Sequence, residues 1–184
     1  MIIIKSDCYR YYGSISIRNR IKCNLLQSGY RYTKTYRRCR ALRGKSVILY
    51  FILRFLLLRK SHKYGYQISP KVDIGEGFYI GHRGTIIVNE NTKIGNNVNI
   101  QAGAVIGAEN RGKRQGAPSI GNQVWIGSNA VIVGKIKIGN NVLIAPNAYV
   151  NMDVDDNSIV IGNPARIIKK DNATEGYIQN IYEK

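Results

Sequence analysis

Acidic side chains are scarce in this chain of 184 residues: 11 Asp and Glu stand against 28 Lys and Arg, a formal charge of +17. The shortage is concentrated at one end. Residues 1–66 hold 16 of the bases and a single acid, Asp7, whereas the remainder holds 12 bases and 10 acids. The basic segment carries no sequence signature of a nucleic-acid fold, so nucleic acid is not expected as a partner even though its tyrosines could stack on bases. Histidine is rarer still. With only His62 and His82, a zinc hydratase that needs about three imidazole ligands is excluded, and no metal is expected. The three cysteines, Cys8, Cys23 and Cys39, all fall in the basic segment. They show neither metal-ligand spacing nor an even count for pairing, which points to a reducing compartment. Long apolar runs are missing too. The strongest, Ser46 to Leu58, is interrupted by Arg54 and falls short of the roughly 20 residues that a bilayer span requires, so an interfacial or packed helix is predicted there. The opening MIIIKSDCYR has one lysine and no apolar stretch of signal-peptide length, and a cytoplasmic location is expected.

What the chain does have is a period. Aliphatic residues recur every sixth position at Ile68, Ile74, Ile80 and Ile86, and again, after a two-residue offset placed near Asn89 to Asn91, at Ile94, Ile100 and Ile106. The series resumes at Ile120, Ile126, Ile132, Ile138, Ile144 and Val150. A helix needs spacings of three and four and a half-buried strand alternates at two, so a strict six fits neither. Six residues make a short strand and a tight turn, one side of a coil in a parallel β-helix whose inward residues stack from coil to coil. Gly75, Gly81, Gly95, Gly107, Gly121, Gly127 and Gly139 directly follow the aliphatic position, where a corner is expected to call for permissive backbone angles. The pairs Asn96-Asn97 and Asn140-Asn141 suit such corners because Asn tolerates the left-handed region. Between Ile106 and Ile120 the register breaks over GAENRGKRQGAPS, a polar loop expected on a binding face. A solvated insertion on a bare β-helical scaffold is the alternative.

The repeat, the extruded loop, His82 within YIGHRGTIIV and the closing IGNPARIIKK together resemble the hexapeptide-repeat acyltransferases, in their serine acetyltransferase-like branch, over residues 64–170. The resemblance implies an all-β core folded as a left-handed parallel β-helix, a homotrimer, and acetyl-CoA as co-substrate in a cleft between neighbouring helices. The left hand comes from the resemblance, since crossovers between parallel strands are in general right-handed. His82 matches the family's general base. A hydroxyl is a poor nucleophile until its proton is taken, and an unperturbed imidazole titrates at about 6.5, close to working pH.

The departures from that branch bear on the acceptor. Gly81 stands where the family has an aspartate before the histidine, Gln67 where an aspartate orients the imidazole, and Gly116-Ala117 where an Arg-His pair lies in the loop. Those side chains hold serine's ammonium and carboxylate, so their loss favours a sugar hydroxyl, as in capsule or exopolysaccharide biosynthesis. Serine O-acetylation for cysteine biosynthesis is the alternative. Gln67 or Glu90 could orient His82, and the loop from Glu109 to Ser119 could shape the acceptor site through Arg111, Lys113, Arg114 and Ala117. For the coenzyme, the resemblance puts Ser128, Ala130, Ala145 and Pro146 along the pantetheine. Arg166, Lys169 and Lys170 would meet the phosphates, unless they form only a solvated basic tail.

Three units follow: a basic, aromatic-rich helical segment over 1–66, the β-helix over 67–168, and a tail over 169–184. The first interleaves Tyr9, Tyr11, Tyr12, Tyr30, Tyr32, Tyr36 and Tyr50 with its bases. Two readings stand for it. It is an interfacial helix on an anionic leaflet, peripheral to the inner membrane, or a helical cap on the first coil with exposed charges of no specific role.

Overall fold

A computed structural model describes residues 2–183. Four helices, α1 (Ile2–Tyr12), α2 (Ile17–Leu26), α3 (Ser28–Leu42) and α4 (Val47–Tyr64), precede the coils. Ser16 caps α2 by accepting from the Asn19 amide at 3.2 Å. Gly65, at φ +83°, ends α4 and turns the chain into the first strand. Among the described residues no helix is long and apolar enough to cross a membrane.

The rest is a left-handed parallel β-helix of triangular section. The first coil holds β1 (Tyr66–Ile68), β2 (Asp73–Ile74) and β3 (Tyr79–Ile80), and the second holds β4 (Ile86–Val88), β5 (Lys93–Ile94) and β6 (Asn99–Ile100). The third has β7 (Val105–Gly107), β8 (Ser119–Ile120) and β9 (Val124–Ile126), and the fourth β10 (Val131–Val133), β11 (Lys137–Ile138) and β12 (Val142–Ile144). A fifth coil contributes β13 (Tyr149–Val150) and β14 (Ser158–Ile161), after which β15 (Arg166–Lys169) turns back antiparallel to β14. Face A is β1-β4-β7-β10-β13, face B is β2-β5-β8-β11, and face C is β3-β6-β9-β12-β14-β15.

Three inward columns fill the interior: Ile68, Val88, Ile106, Ile132 and Val150 under face A; Ile74, Ile94, Ile120, Ile138 and Val154 under face B; Ile80, Ile100, Ile126, Ile144 and Val160 under face C. None of the fifteen is more than 4% exposed. The period-six positions are thus the core, with one change of register. Val88, not Ile86, stacks on Ile68, while Ile86 pairs with Tyr66. The two-residue excess therefore lies between Ile80 and Val88, in the corner that carries His82, rather than at Asn89 to Asn91.

The glycines after the aliphatic positions have a different cause from the one expected. None of the seven adopts a positive φ. A Cβ on Gly121 would lie 2.5 Å from the Gly139 carbonyl oxygen, and one on Gly95 would lie 2.5 Å from that of Gly121. At these two, and at Gly75, Gly127 and Gly139, close coil-to-coil approach and not backbone angle excludes a side chain, whereas a Cβ on Gly81 or Gly107 would meet only the side chain of Gln101 or Val133. The left-handed residues are Asn97 and Asn141, the second members of the two pairs. Their first members form a ladder, in which the Asn96, Asn122 and Asn140 amides donate in turn to Asn122, Asn140 and Asp156 oxygens at 2.7–2.8 Å.

A parallel β-helix exposes backbone groups at its first coil, and an open strand edge is a pairing hazard. Here α1 and α3 cover it with side-chain donors. The hydroxyls of Tyr11, Tyr32 and Tyr36 donate to the carbonyls of Ile80, Ile68 and Val72. Arg10 reaches the Gly77 carbonyl at 2.6 Å and Asn99 at 2.7 Å. Arg37 binds the Ile74 and Gly75 carbonyls and holds Asp7 through both its Nε and Nη2, at 3.0 and 3.1 Å. Asp7 in turn accepts from the Phe78 amide at 2.9 Å. Burial pushes the Asp7 carboxyl up and the Arg37 guanidinium opposes that shift. Tyr11, Tyr30, Tyr32 and Tyr36 are accordingly parts of a cap, not the membrane-facing aromatics that their interleaving with bases suggested. In the same cap the Cys8 and Cys23 thiols meet at 2.9 Å across α1 and α2, a pairing that their spacing did not announce.

The tail is a strap. It runs back over face C: Thr174 donates to Asn141, Tyr177 stacks edge-on against Trp125 with ring centroids 5.0 Å apart, and Tyr182 exchanges two hydrogen bonds with Asn97. Asn180 then reaches the Arg10 carbonyl in α1.

Two stability effects follow. Asp7→Ala, which strands a buried guanidinium, is expected to cost about 3–5 kcal/mol. Ile126→Ala, which opens a void in the face C column, costs about 2–5 kcal/mol. Urea denaturation measures both, and losses below 1 kcal/mol would contradict this view of the cap and the core.

Candidate active site

The corner between faces C and A repeats at every coil and forms one edge of the prism. In three successive coils it is the same turn, closed by Ala104 N to Gln101 O, Ala130 N to Gly127 O and Ala148 N to Ala145 O at 3.2–3.3 Å. Gly103, Asn129 and Asn147 occupy its left-handed position. The bonds run along the edge as well, from Gly103 N to Thr85 O, Asn129 N to Ala102 O and Asn147 N to Ser128 O.

His82 lies at the lower end of this edge, in the corner that is two residues longer. The enlarged turn is fixed from below: Gly84 N donates to Tyr64 O and Ile86 N to Gly65 O, both at 3.1 Å. The Tyr66 hydroxyl donates to the His82 carbonyl at 3.1 Å and meets Ser28 Oγ at 3.3 Å. This leaves the His82 side chain exposed, and among the described residues its imidazole has no hydrogen-bond or ion-pair partner. Tyr66 was not singled out in the sequence, because one tyrosine among 13 whose partner is a backbone carbonyl leaves no spacing signal.

The same edge carries part of the expected coenzyme set. Ser128 and Ala145 are half-buried on it and Pro146 is exposed. Ala130 is not available: it is fully buried in the core, because the last residue of each turn points inward, as Ala104 and Ala148 also do. Arg166 sits opposite Ile161 at the end of β14 that meets this edge. The antiparallel course of β15 carries Lys169 across face C to the opposite corner, beside Ser158, where it pairs with Asp155 at 3.2 Å. Lys170 follows it there, its amide bound to Asn157 O. The three bases therefore do not converge.

The acceptor candidates lie elsewhere on the prism. The loop leaves face A for face B as a short hairpin, with Glu109 and Gly116 exchanging two 2.9 Å bonds. Arg111 and Lys113 are exposed on it and Ala117 is half-buried. Arg114 folds over the A–B edge to the Asn151 carbonyl. Gln67 projects outward from the middle of β1, opposite Ile87. With Glu90, Arg54 and His62 it lines a groove of about 710 Å³ between α4 and face A. The Glu90 carboxylate is held by Lys71 at 3.0 Å, beyond the far end of β4 from His82. Within one chain the loop and Glu90 thus stand at the A–B edge and His82 at the C–A edge.

Residues 117–151 match the family described as bacterial transferase hexapeptide (six repeats). A serine acetyltransferase of Helicobacter pylori is 34% identical over 154 residues, 84% of this chain and 89% of that protein. Soybean serine acetyltransferase complexed with serine superposes with a TM-score of 0.74 at 27% identity, over 90% of this chain and 67% of that one. The serine acetyltransferase of Brucella abortus in complex with coenzyme A gives 0.77 at 26% identity, over 92% and 67%.

Because the His82 side chain supports nothing around it, His82→Ala should leave the unfolding free energy within about 0.5 kcal/mol of the parent. A loss of several kcal/mol in urea denaturation would make the residue a structural one.

Proposed function

The chain belongs to the serine acetyltransferase family of hexapeptide-repeat transferases and is an acetyl-CoA-dependent O-acetyltransferase; within that activity we propose that His82 is the general base. A neutral imidazole nitrogen takes the proton of the acceptor hydroxyl as its oxygen adds to the thioester carbonyl. The C–S bond then breaks, the acetyl ester is formed, and coenzyme A leaves as the thiol with the proton that His82 returns. The observation that carries this reading is the His82 corner itself: a lengthened turn, fixed through its backbone, that leaves the imidazole free at one end of the edge bearing Ser128, Ala145, Pro146 and Arg166.

The site is completed by a second copy. His82 and the loop stand at opposite edges of face A, and a heterologous contact that joins two different edges makes a ring when the rotation between copies closes, as it does for a prism of triangular section turned by a third. Three copies arranged this way set the C–A edge of one against the A–B edge of the next. They also cover the half-buried outward column Ile87, Val105, Val131 and Tyr149 on face A. Acetyl-CoA would lie in the cleft between neighbours, and Gln67 would approach it from face A.

Serine is the acceptor favoured by the relatives, including one similar over nearly its whole length, and it takes precedence over the sugar hydroxyl expected from the altered residues. One specific observation keeps the sugar as a second reading. Around His82 the chain offers Gly81, Arg83, Gly84 and Thr85, with Gly116 and Ala117 in the loop, and none of these supplies a carboxylate for an ammonium group.

Thiol release from acetyl-CoA, followed with serine and with a panel of sugars, separates the two. Turnover with serine is expected, falling by roughly 10²–10⁴ in His82→Ala. Turnover with a sugar alone would transfer the assignment to the second reading, and full activity of the variant would remove His82 from the mechanism. In the same assay Arg166→Ala should raise the KM for acetyl-CoA roughly tenfold, whereas Lys169→Ala, already paired with Asp155 at the other corner, should leave it unchanged. Equal effects would refute the separation of the two bases.

A further inference from the structure

The cap accounts for the tyrosines and for Arg10 and Arg37, but it leaves another surface of the basic segment without a role. Helix α2 exposes Ile17, Ile21 and Leu25, a stripe at helical spacing, and Leu26 at its last position, all 54–76% accessible. Helix α4 exposes Val47, Ile48, Leu49, Phe51, Ile52 and Phe55, at 51–75%, and buries only Leu57 and Tyr64 completely. A core-facing amphipathic helix would turn such residues inward.

Helix α3 packs against both α2 and α4. Its side chains that escape burial include Arg31, Lys34 and Arg38, at spacings of three and four and hence on one face. Lys34 reaches across to Asn24 of α2 at 2.6 Å, and Lys60 of α4 reaches back to the Arg31 carbonyl at 2.9 Å. These cations feel one another. Burial lowers Lys34 and Lys60, and Arg20, Arg31, Lys34 and Arg38 lower them further by repulsion. Among the described residues no ion pair offsets the cluster: Asp7, the one acid of residues 1–66, is buried against Arg37, and Asp73 of the first coil pairs with Arg40 instead. Apolar stripes on α2 and α4 therefore flank a row of uncompensated positive charge on α3.

We propose that this surface docks on an anionic lipid bilayer, with the α2 and α4 side chains entering the headgroup boundary and the α3 bases meeting the lipid phosphates. The charge selects the occupant. A second copy would bring an equally basic surface, and contact between two such faces adds repulsion, whereas an anionic leaflet supplies both the negative charge and the apolar depth. The proposal is independent of the acceptor and of His82.

The test is co-sedimentation of the full chain with vesicles of phosphatidylglycerol and phosphatidylcholine, and with phosphatidylcholine alone, at low salt. Binding is expected to the anionic vesicles only, and to weaken as salt rises. Loss of two bases in Lys34→Ser/Arg38→Ser should reduce partitioning roughly 30-fold, at about one kcal/mol per base near the surface. Ile48→Ser/Phe51→Ser/Phe55→Ser should reduce it at least as much. These side chains line neither edge of the prism, so thiol release from acetyl-CoA should be retained and reports that the variants are folded. Failure to bind anionic vesicles would overturn the proposal. Equal binding by the apolar variant would do so as well, reducing the surface to a general polyanion site. A fall in oligomeric mass of that variant in sedimentation velocity would assign the face to a second copy instead.

Discussion

Everything in this molecule depends on coils that stack at strand spacing with their aliphatic residues in register. The three inward columns bury one residue per face per coil, and no coil could bury its own share alone. The same spacing forbids a Cβ at Gly95 and Gly121, puts a left-handed Asn at the corners, and aligns the turns of the C–A edge into a continuous line. A side chain presented on such a scaffold need not be held by other side chains. The stack positions its backbone, and a longer corner offers the ring to whatever lies alongside.

The stack also creates its own liability, an open first coil, and the amino-terminal helices answer it. Tyr11, Tyr32 and Tyr36 satisfy carbonyls that a preceding coil would have satisfied, while the Asp7–Arg37 pair ties α1 and α3 to the turn before β3. The strap from Thr174 to Tyr182 returns from the last coil to the first and fastens the cap at Arg10. Once these roles are assigned, α2, α4 and the outer row of α3 are left facing outward. That is why the cap and an exposed apolar and basic surface coexist in one segment instead of excluding each other.

Much of this was legible in the sequence. A period of six over so many positions has one economical structural meaning, and the break after Ile106 does mark an excursion from the coil. Where sequence and structure part, the physical reason is local. Ile86 and Val88 are both aliphatic and both buried, one six residues after Ile80 and the other six before Ile94, so spacing alone could not locate the two-residue excess that enlarges the His82 corner. Ala130 looks like any small edge residue, yet it completes a turn and points inward. Lys169 follows Arg166 closely in sequence, and only the reversal of β15, which no period announces, separates them across face C. The tyrosines pair with backbone carbonyls, which have no identity that a sequence could display. The acceptor is the least legible element, because substitutions to Gly and Ala show what has been removed from a pocket and not what now fits it.

If His82 of one copy works against the loop of its neighbour, a mixed assembly reveals it most directly. One chain would carry His82→Ala; the other would have Asn110–Gln115 replaced by a two-residue turn between Glu109 and Gly116. Each alone should release little thiol from acetyl-CoA. Co-refolded, they should regain a substantial part of the native rate, since some interfaces then join an intact His82 edge to an intact loop. Activity no higher than that of the two separate variants would contradict a site shared between chains.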